Sequence, residues 1–221
     1  KEAQGERFDF YQKLDVEDFA LPLRTKARIL RNNIYGVDID PQAVEITMMS
    51  LYLKLLEGER SLPSKQALLP TLTYNIRNGN SLIGYDILDQ GNLFDDEARI
   101  RINPFDWNSK TGGFGDIMAS GGFDAVIGNP PWGGLIDTAQ RSYFEKNYAS
   151  VTRELETHLF FVEKGVTLLN YNGLLSYILP NTFMYVKTSE PLRKLILAKC
   201  KVNEVTELSK QKIEFFPLIE G

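Results

Sequence analysis

In this 221-residue chain, the run Gly128-Asn129-Pro130-Pro131-Trp132 holds the residue types best suited to chemistry. Two successive prolines fix φ at both positions and donate no backbone hydrogen bond. Asn129, preceding a proline, is held towards an extended conformation. A stiff loop results, with two acceptors, the Asn129 side-chain oxygen and the Pro130 carbonyl, beside the flat face of Trp132. Acceptors placed this way suit a planar aromatic amine, whose lone pair is delocalised into its ring and attacks poorly. Accepting from both N–H groups draws the nitrogen towards tetrahedral geometry. It also stabilises the positive charge that builds during attack, without a strong general base. Trp132 would stack on the ring. The other reading is a plain Pro-Pro turn beside a buried tryptophan, and these residues alone do not choose between the two.

A second set of polar residues lies earlier in the chain. Asp38 closes the apolar run Asn33–Ile39, and a carboxylate at a strand end can accept both hydroxyls of a ribose. Ile39 beside it could pack on an adenine ring. Asp40 is better read as a helix cap, because Pro41 follows it. Asn80, in Asn78-Gly79-Asn80-Ser81-Leu82, could bond an adenine edge, although Asn-Gly is most often a turn.

These residues need elements to position them. Asn33–Ile39 reads as a buried strand, followed by a helix with Val44, Met48, Leu51 and Leu55 on one face and Gly58 at its end. A connection punctuated by Pro63 and Pro70 leads to weaker strand candidates at Leu72–Ile76 and Ser81–Ile83. Residues 86–122, rich in Gly, Asp and Asn, predict a long irregular insertion, partly mobile. Phe123–Gly128 is a second buried strand. Leu155, Leu159, Val162, Val166 and Leu169 mark a helix, on which His158 is expected to pack rather than catalyse. A strand over Leu174–Leu179, a helix over Pro191–Lys199 and a strand over Val202–Leu208 complete the pattern. Alternation of this kind predicts an α/β fold, a parallel doubly wound sheet with helices on both faces. Ligands in such sheets bind at the carboxyl ends of strands, where Asn129 lies.

Composition narrows the class. Hydrophobic residues at 43% and charged residues at 24% exclude a disordered chain. A single cysteine, Cys200, excludes a disulfide framework or a cysteine-built zinc site, and a single histidine excludes a multi-histidine metal site. No metal is expected. No apolar run reaches the ~18 residues that cross a bilayer, and no signal peptide opens the chain, so the cytoplasm is the expected compartment. A net charge of −4 does not by itself suggest nucleic acid. The charge is uneven, however: Tyr85–Asp106 holds six acidic and two basic residues, and Tyr185–Lys212 seven basic and three acidic. The chain starts at Lys1 rather than Met and reads as a piece of something longer.

Taken together, these segments resemble the gamma-class adenine-N6 DNA methyltransferases, especially the fused type IIG restriction–modification enzymes. Asn32–Val44 looks like their second motif and Gly79-Asn80-Ser81-Leu82-Ile83 like the third. Phe123–Trp132 looks like the fourth, and Leu174–Phe183 and Glu190-Pro191-Leu192-Arg193 are similar to later segments. The resemblance implies a Rossmann-like sheet that binds S-adenosylmethionine, with Asp38 on the ribose, Ile39 on the adenine, and Asn80 and Ser81 beside it. It implies that Asn129, Pro130, Pro131 and Trp132 are catalytic, gripping an adenine flipped out of double-stranded DNA. Trp132 stands where the family more often has Tyr, and Phe216 would be the second stacking aromatic, unless it is a core phenylalanine.

The family's first cofactor motif and its target-recognition domain are absent. The expectation is therefore one catalytic core over residues 1–221, with the insertion at 86–122 and without its first strand. It would be inactive alone and accompanied by fused or partner nuclease and specificity domains, with no membrane partner. Two rival readings stay open on the same scaffold. One is an RNA or protein-glutamine methyltransferase, and the other a non-catalytic DNA-specificity or interaction module.

Overall fold

The computed structural model describes residues 12–13, 19–59, 69–90, 96–133 and 136–208. The chain divides after Asp106 into two compact units.

In the first unit, a short antiparallel pair, β1 (Gln12–Lys13) and β2 (Phe19–Ala20), precedes α1 (Leu23–Asn33). Leu23, Ala27 and Leu30 recur on one face of α1. They meet Met48, Leu51 and Leu55 of α2 (Pro41–Leu56) around the fully buried Leu72. The start of α2 follows the sequence prediction. Asp40 accepts from the Gln42 N–H at 2.9 Å, and Pro41 occupies the first turn, where its missing N–H costs nothing. Beyond the helix, Gly58 takes a positive φ of 81°.

Between the helices runs β3 (Gly36–Asp38), paired in parallel with β4 (Ile76–Asn78) so that Asp38 faces Asn78. Strand β4 starts later than the Leu72–Ile76 prediction, and Ser81–Ile83 is not a strand. Asn75 explains the late start. Its buried side chain donates to the carbonyls of Arg31 and Ile34, at 2.7 and 2.9 Å, so the chain caps the end of α1 instead of extending.

Residues 86–122 are more regular than predicted. They hold most of a 3₁₀ turn (Tyr85–Gln90), α3 (Asp96–Ile102) and α4 (Gly115–Ala119). Single apolar anchors hold these pieces, Ile87, Ile102 and Phe105 in the first unit and Phe114 in the second. Isolated anchors leave no periodic trace in sequence.

The second unit is built on β5 (Phe123–Gly128) and β6 (Leu169–Tyr177), a parallel pair with Gly128 opposite Tyr177. A reciprocal capping box between Asp137 and Gln140 starts α5 (Thr138–Asn147), whose Phe144 stacks on Phe160 at 4.6 Å. Helices α6 (Thr157–Leu168) and α7 (Glu190–Lys199) pack Leu159, Val162 and Leu192 against Leu175, Tyr177 and Leu179. Each such leucine contributes about 1.5–3 kcal/mol when fully buried. On α6, Glu163 accepts the Ala149 and Ser150 N–H groups at 2.9 and 2.8 Å and ties down the incoming loop.

Two departures from the predicted sheet stand out. The described strands form three separate two-stranded sheets, not one continuous sheet. Among the described residues, helices also pack on one face of the β5–β6 pair; on the other, Ile127 is 81% and Leu174 62% exposed. Val202–Leu208 has no regular structure, since it pairs with no described strand.

His158 packs as expected, 2% exposed in the α6 core. Its Nε2 lies 3.2 Å from Glu156 Oε2, yet neither ring nitrogen makes a hydrogen bond of adequate geometry. Burial holds its pKa below the ordinary histidine value, outweighing the opposing pull of Glu156. The unfolded chain therefore takes up this proton at a higher pH than the folded one. The stability that His158 lends is present above the ordinary value, about 6.5, and is lost as pH falls from there towards the lower folded value. Thermal unfolding across that range should show a steeper acid loss for the wild type than for His158→Gln. Equal slopes would mean that His158 is not the titrating group.

Candidate active site

At the carboxyl end of the β3–β4 pair, Asp38 and Asn78 face each other across the register, and the chain turns there into Ile39 and Gly79. Asp38 is exposed. Its Oδ1 accepts the Asp40 N–H at 2.8 Å, and its second carboxylate oxygen has no partner among the described residues. Ile39 is half exposed, at 51%. Asn80 accepts the Leu82 N–H on Oδ1 at 3.0 Å, an Asx turn that leaves its Nδ2 without a partner among the described residues. Ser81 follows, partly buried. One end of the first unit thus gathers Asp38, Ile39, Asn80 and Ser81, with a carboxylate oxygen, an amide donor and an apolar side chain available to a ligand.

At the carboxyl end of β5, Gly128 leads into the Asn129–Trp132 loop. Tyr177 explains why glycine is required there. A side chain on Gly128 would put its Cβ 2.5 Å from the Tyr177 ring, and one on Gly165 of α6 would sit 2.8 Å from the Tyr177 hydroxyl. The tyrosine ring is therefore slotted between the start of the loop and α6. Burial pushes its phenol up to about 12, so it stays neutral at working pH and serves as a spacer. The Ile178 N–H holds the Gly128 carbonyl at 3.1 Å.

Further along, Thr157, the first residue of α6, donates its hydroxyl to the Pro131 carbonyl at 2.9 Å. Its neighbour Glu156 accepts from Thr188 at 3.2 Å, which links the loop support to the turn before α7. Pro130 is buried, whereas Asn129 and Pro131 are exposed. The Asn129 side chain and the Pro130 carbonyl have no hydrogen-bond partner among the described residues. Trp132 is 56% exposed, which removes the reading of a turn beside a buried tryptophan. The loop is braced from behind at Gly128, Pro130 and Pro131, and its two acceptors and its indole remain available.

Phe216 lies outside the described residues. Sequence reasoning missed Asn75, Asn78, Asn103, Thr157 and Tyr177, each of which acts through contacts distant in sequence. Among the described residues, no helix is long and apolar enough to cross a membrane.

Residues 32–215 match the Eco57I restriction-modification methylase family. The chain is 31% identical over 192 residues to the type II restriction enzyme and methyltransferase RM.Eco57I of Escherichia coli, covering 84% of this chain and 18% of that protein. It is 23% identical over 290 residues to RM.MjaORFECS2P, a Methanocaldococcus jannaschii protein provisionally named a type II restriction enzyme and methyltransferase. That match covers 80% of this chain and 24% of the relative. A third match, to the type II methyltransferase M.BstVI of Geobacillus stearothermophilus, is 29% identical over 90 residues, 40% of this chain and 16% of that protein. The chain thus spans a quarter or less of each relative's length.

Proposed function

The chain belongs to the Eco57I restriction-modification methylase family, and on that premise we propose that it is the catalytic core of an adenine-N6 DNA methyltransferase that uses S-adenosylmethionine. The observation that carries this reading is the Asn129–Trp132 loop, with two acceptors unengaged among the described residues beside an exposed indole at a strand's carboxyl end. The relatives' names, which join restriction with methyl transfer, favour DNA as the substrate.

S-adenosylmethionine supplies an electrophilic methyl group carried on a sulfonium. The residues of the first unit fit its adenosyl part. Asp38 would accept the ribose hydroxyls on its free oxygen, Ile39 would pack on the adenine, and Asn80 would donate from Nδ2 to the adenine edge, with Ser81 beside it. Asn129 Oδ1 and the Pro130 carbonyl would each accept one N–H of an adenine extruded from the duplex, and Trp132 would stack on its face. Those two bonds localise the lone pair on the amine nitrogen. They also hold the positive charge that builds there, until one of the N–H protons leaves to water. Pro131 keeps the loop rigid and gives Thr157 its point of attachment.

In this reading the fold is Rossmann-like, which the parallel pairing within β3–β4 and within β5–β6 supports. Base reading and cleavage are assigned to other segments of the full-length protein. The test is methyl transfer by the full-length gene product, offered labelled cofactor with adenine-containing duplex DNA, RNA or a release-factor protein. Label on DNA adenines is expected. Unlabelled DNA alongside a labelled competitor would overturn the proposal.

A further inference from the structure

Two strand-end segments hold the proposed adenosyl site, and a residue from a third segment joins them. Asn78 Nδ2 donates to the carbonyls of both Asp38 and Ile39, at 3.0 Å each, and the Gly79 N–H reaches the same Asp38 carbonyl at 2.9 Å. On its other side, Asn78 Oδ1 accepts from Asn103 Nδ2 at 2.8 Å. The carbonyl of Asn103 accepts the Asn80 N–H at 2.6 Å. Asn103 therefore reaches Asp38 and Ile39 through Asn78, and Asn80 through its own backbone.

The direction of these bonds matters. A carbonyl can only accept, so the Asn78 amide must turn its NH₂ towards Asp38 and Ile39 and its oxygen towards Asn103. The Asn103 donor holds that orientation. Asn103 also has φ 47°, left-handed backbone that asparagine tolerates better than most residues. The segment is held there by its neighbours. Pro104 forms a parallel bridge with Asn80, the Phe105 N–H donates to the Ile83 carbonyl at 2.8 Å, and the Phe105 side chain leaves no room for a Cβ on Gly79.

We propose that Asn103, acting through Asn78, is a positioning residue that fixes the spacing of Asp38, Ile39 and Asn80 and so sets affinity for the adenosyl group of the cofactor. The inference rests on the reading of that strand end as the adenosyl site. Its cause is preorganisation: a strand end already held in place loses less freedom when it closes on a ligand.

The experiment is calorimetry with S-adenosylmethionine on the full-length gene product and on four variants: Asp38→Ala, Asn103→Gly, Asn78→Ala and the Asn78→Ala/Asn103→Gly double. Asn103→Gly keeps the left-handed backbone and removes only the amide. Each of the two asparagine singles should weaken binding roughly five- to tenfold. The double should be no worse than the poorer single, because both act through one link. The cofactor KM should rise with kcat at saturation unchanged, which a merely structural role would not produce. Wild-type affinity in Asn103→Gly and Asn78→Ala, with Asp38→Ala still weakened, overturns this inference and leaves the proposed function standing. A lowered melting temperature with unchanged affinity overturns it equally. Failure of the wild type to bind, or indifference to Asp38→Ala, removes the site reading and this inference with it. Should Asn78→Ala not fold, Asn103→Gly decides alone.

Discussion

Asn129→Ala should lower the rate of methyl transfer by about 10²–10³-fold while leaving cofactor affinity unchanged. The side chain is exposed and makes no hydrogen bond among the described residues, so its removal costs the fold little. In the proposed mechanism, what it removes is one of two acceptors for a nitrogen whose charge rises only during attack. A group that acts on the transition state more than on the bound substrate lowers kcat rather than binding. Asn129→Asp keeps an acceptor at the position and should fall between the two. Single-turnover rates with a short adenine duplex, alongside calorimetry for the cofactor, make the check. A variant that transfers methyl at the wild-type rate would remove Asn129 from the mechanism.

Asp38→Ala should weaken S-adenosylmethionine binding roughly 10- to 100-fold, the size expected when hydrogen bonds to a charged group are lost. Asp38 has a second task, since its Oδ1 accepts the Asp40 N–H and shapes the turn into α2. Asp38→Asn separates the two tasks. It keeps an acceptor for the turn and discards the charge, so an intermediate affinity assigns the carboxylate to the ligand. Unchanged binding in Asp38→Ala would leave Asp38 as a turn former only.

Local elements were legible wherever one residue type has one strong local preference. Asp40 and Pro41 announced a helix start, and Phe123–Gly128 and Leu174–Leu179 read as strands because nearly every residue in them is apolar. That same continuity reads as burial on both faces, as in parallel sheets generally; among the described residues, helices pack on one face of the pair, and Ile127 and Leu174 stand exposed on the other. The residues of the proposed site stood out in the sequence because Asn-Pro-Pro-Trp is chemically distinctive. Their supports were not. Thr157 meets Pro131 across 26 residues, Asn78 meets Asp38 across 40, and Asn75 meets Arg31 across 44. A lone threonine or asparagine gives no periodicity, and only the folded chain shows what it holds. Residues 86–122 failed the same way, since scattered anchors such as Ile87 and Phe114 look like loop residues.

The clamp at Asn78 also bears on how the protein ages. Asn-Gly is a sequence prone to deamidation, in which the glycine nitrogen attacks the asparagine side-chain carbonyl, expels ammonia and leaves a carboxylate after hydrolysis. Here the Gly79 N–H is engaged with the Asp38 carbonyl, and the Asn78 amide is tied at both ends. The folded strand end therefore shields a chemically fragile bond. Once Asn103 lets go, that protection loosens. A carboxylate formed at position 78 would face the Asp38 and Ile39 carbonyls with no proton to offer them, so the damage would push the strand end open. Peptide mass spectrometry after prolonged storage should find this amide converted sooner in Asn103→Gly than in the wild type, giving the same small asparagine network a second role as the guardian of shelf life.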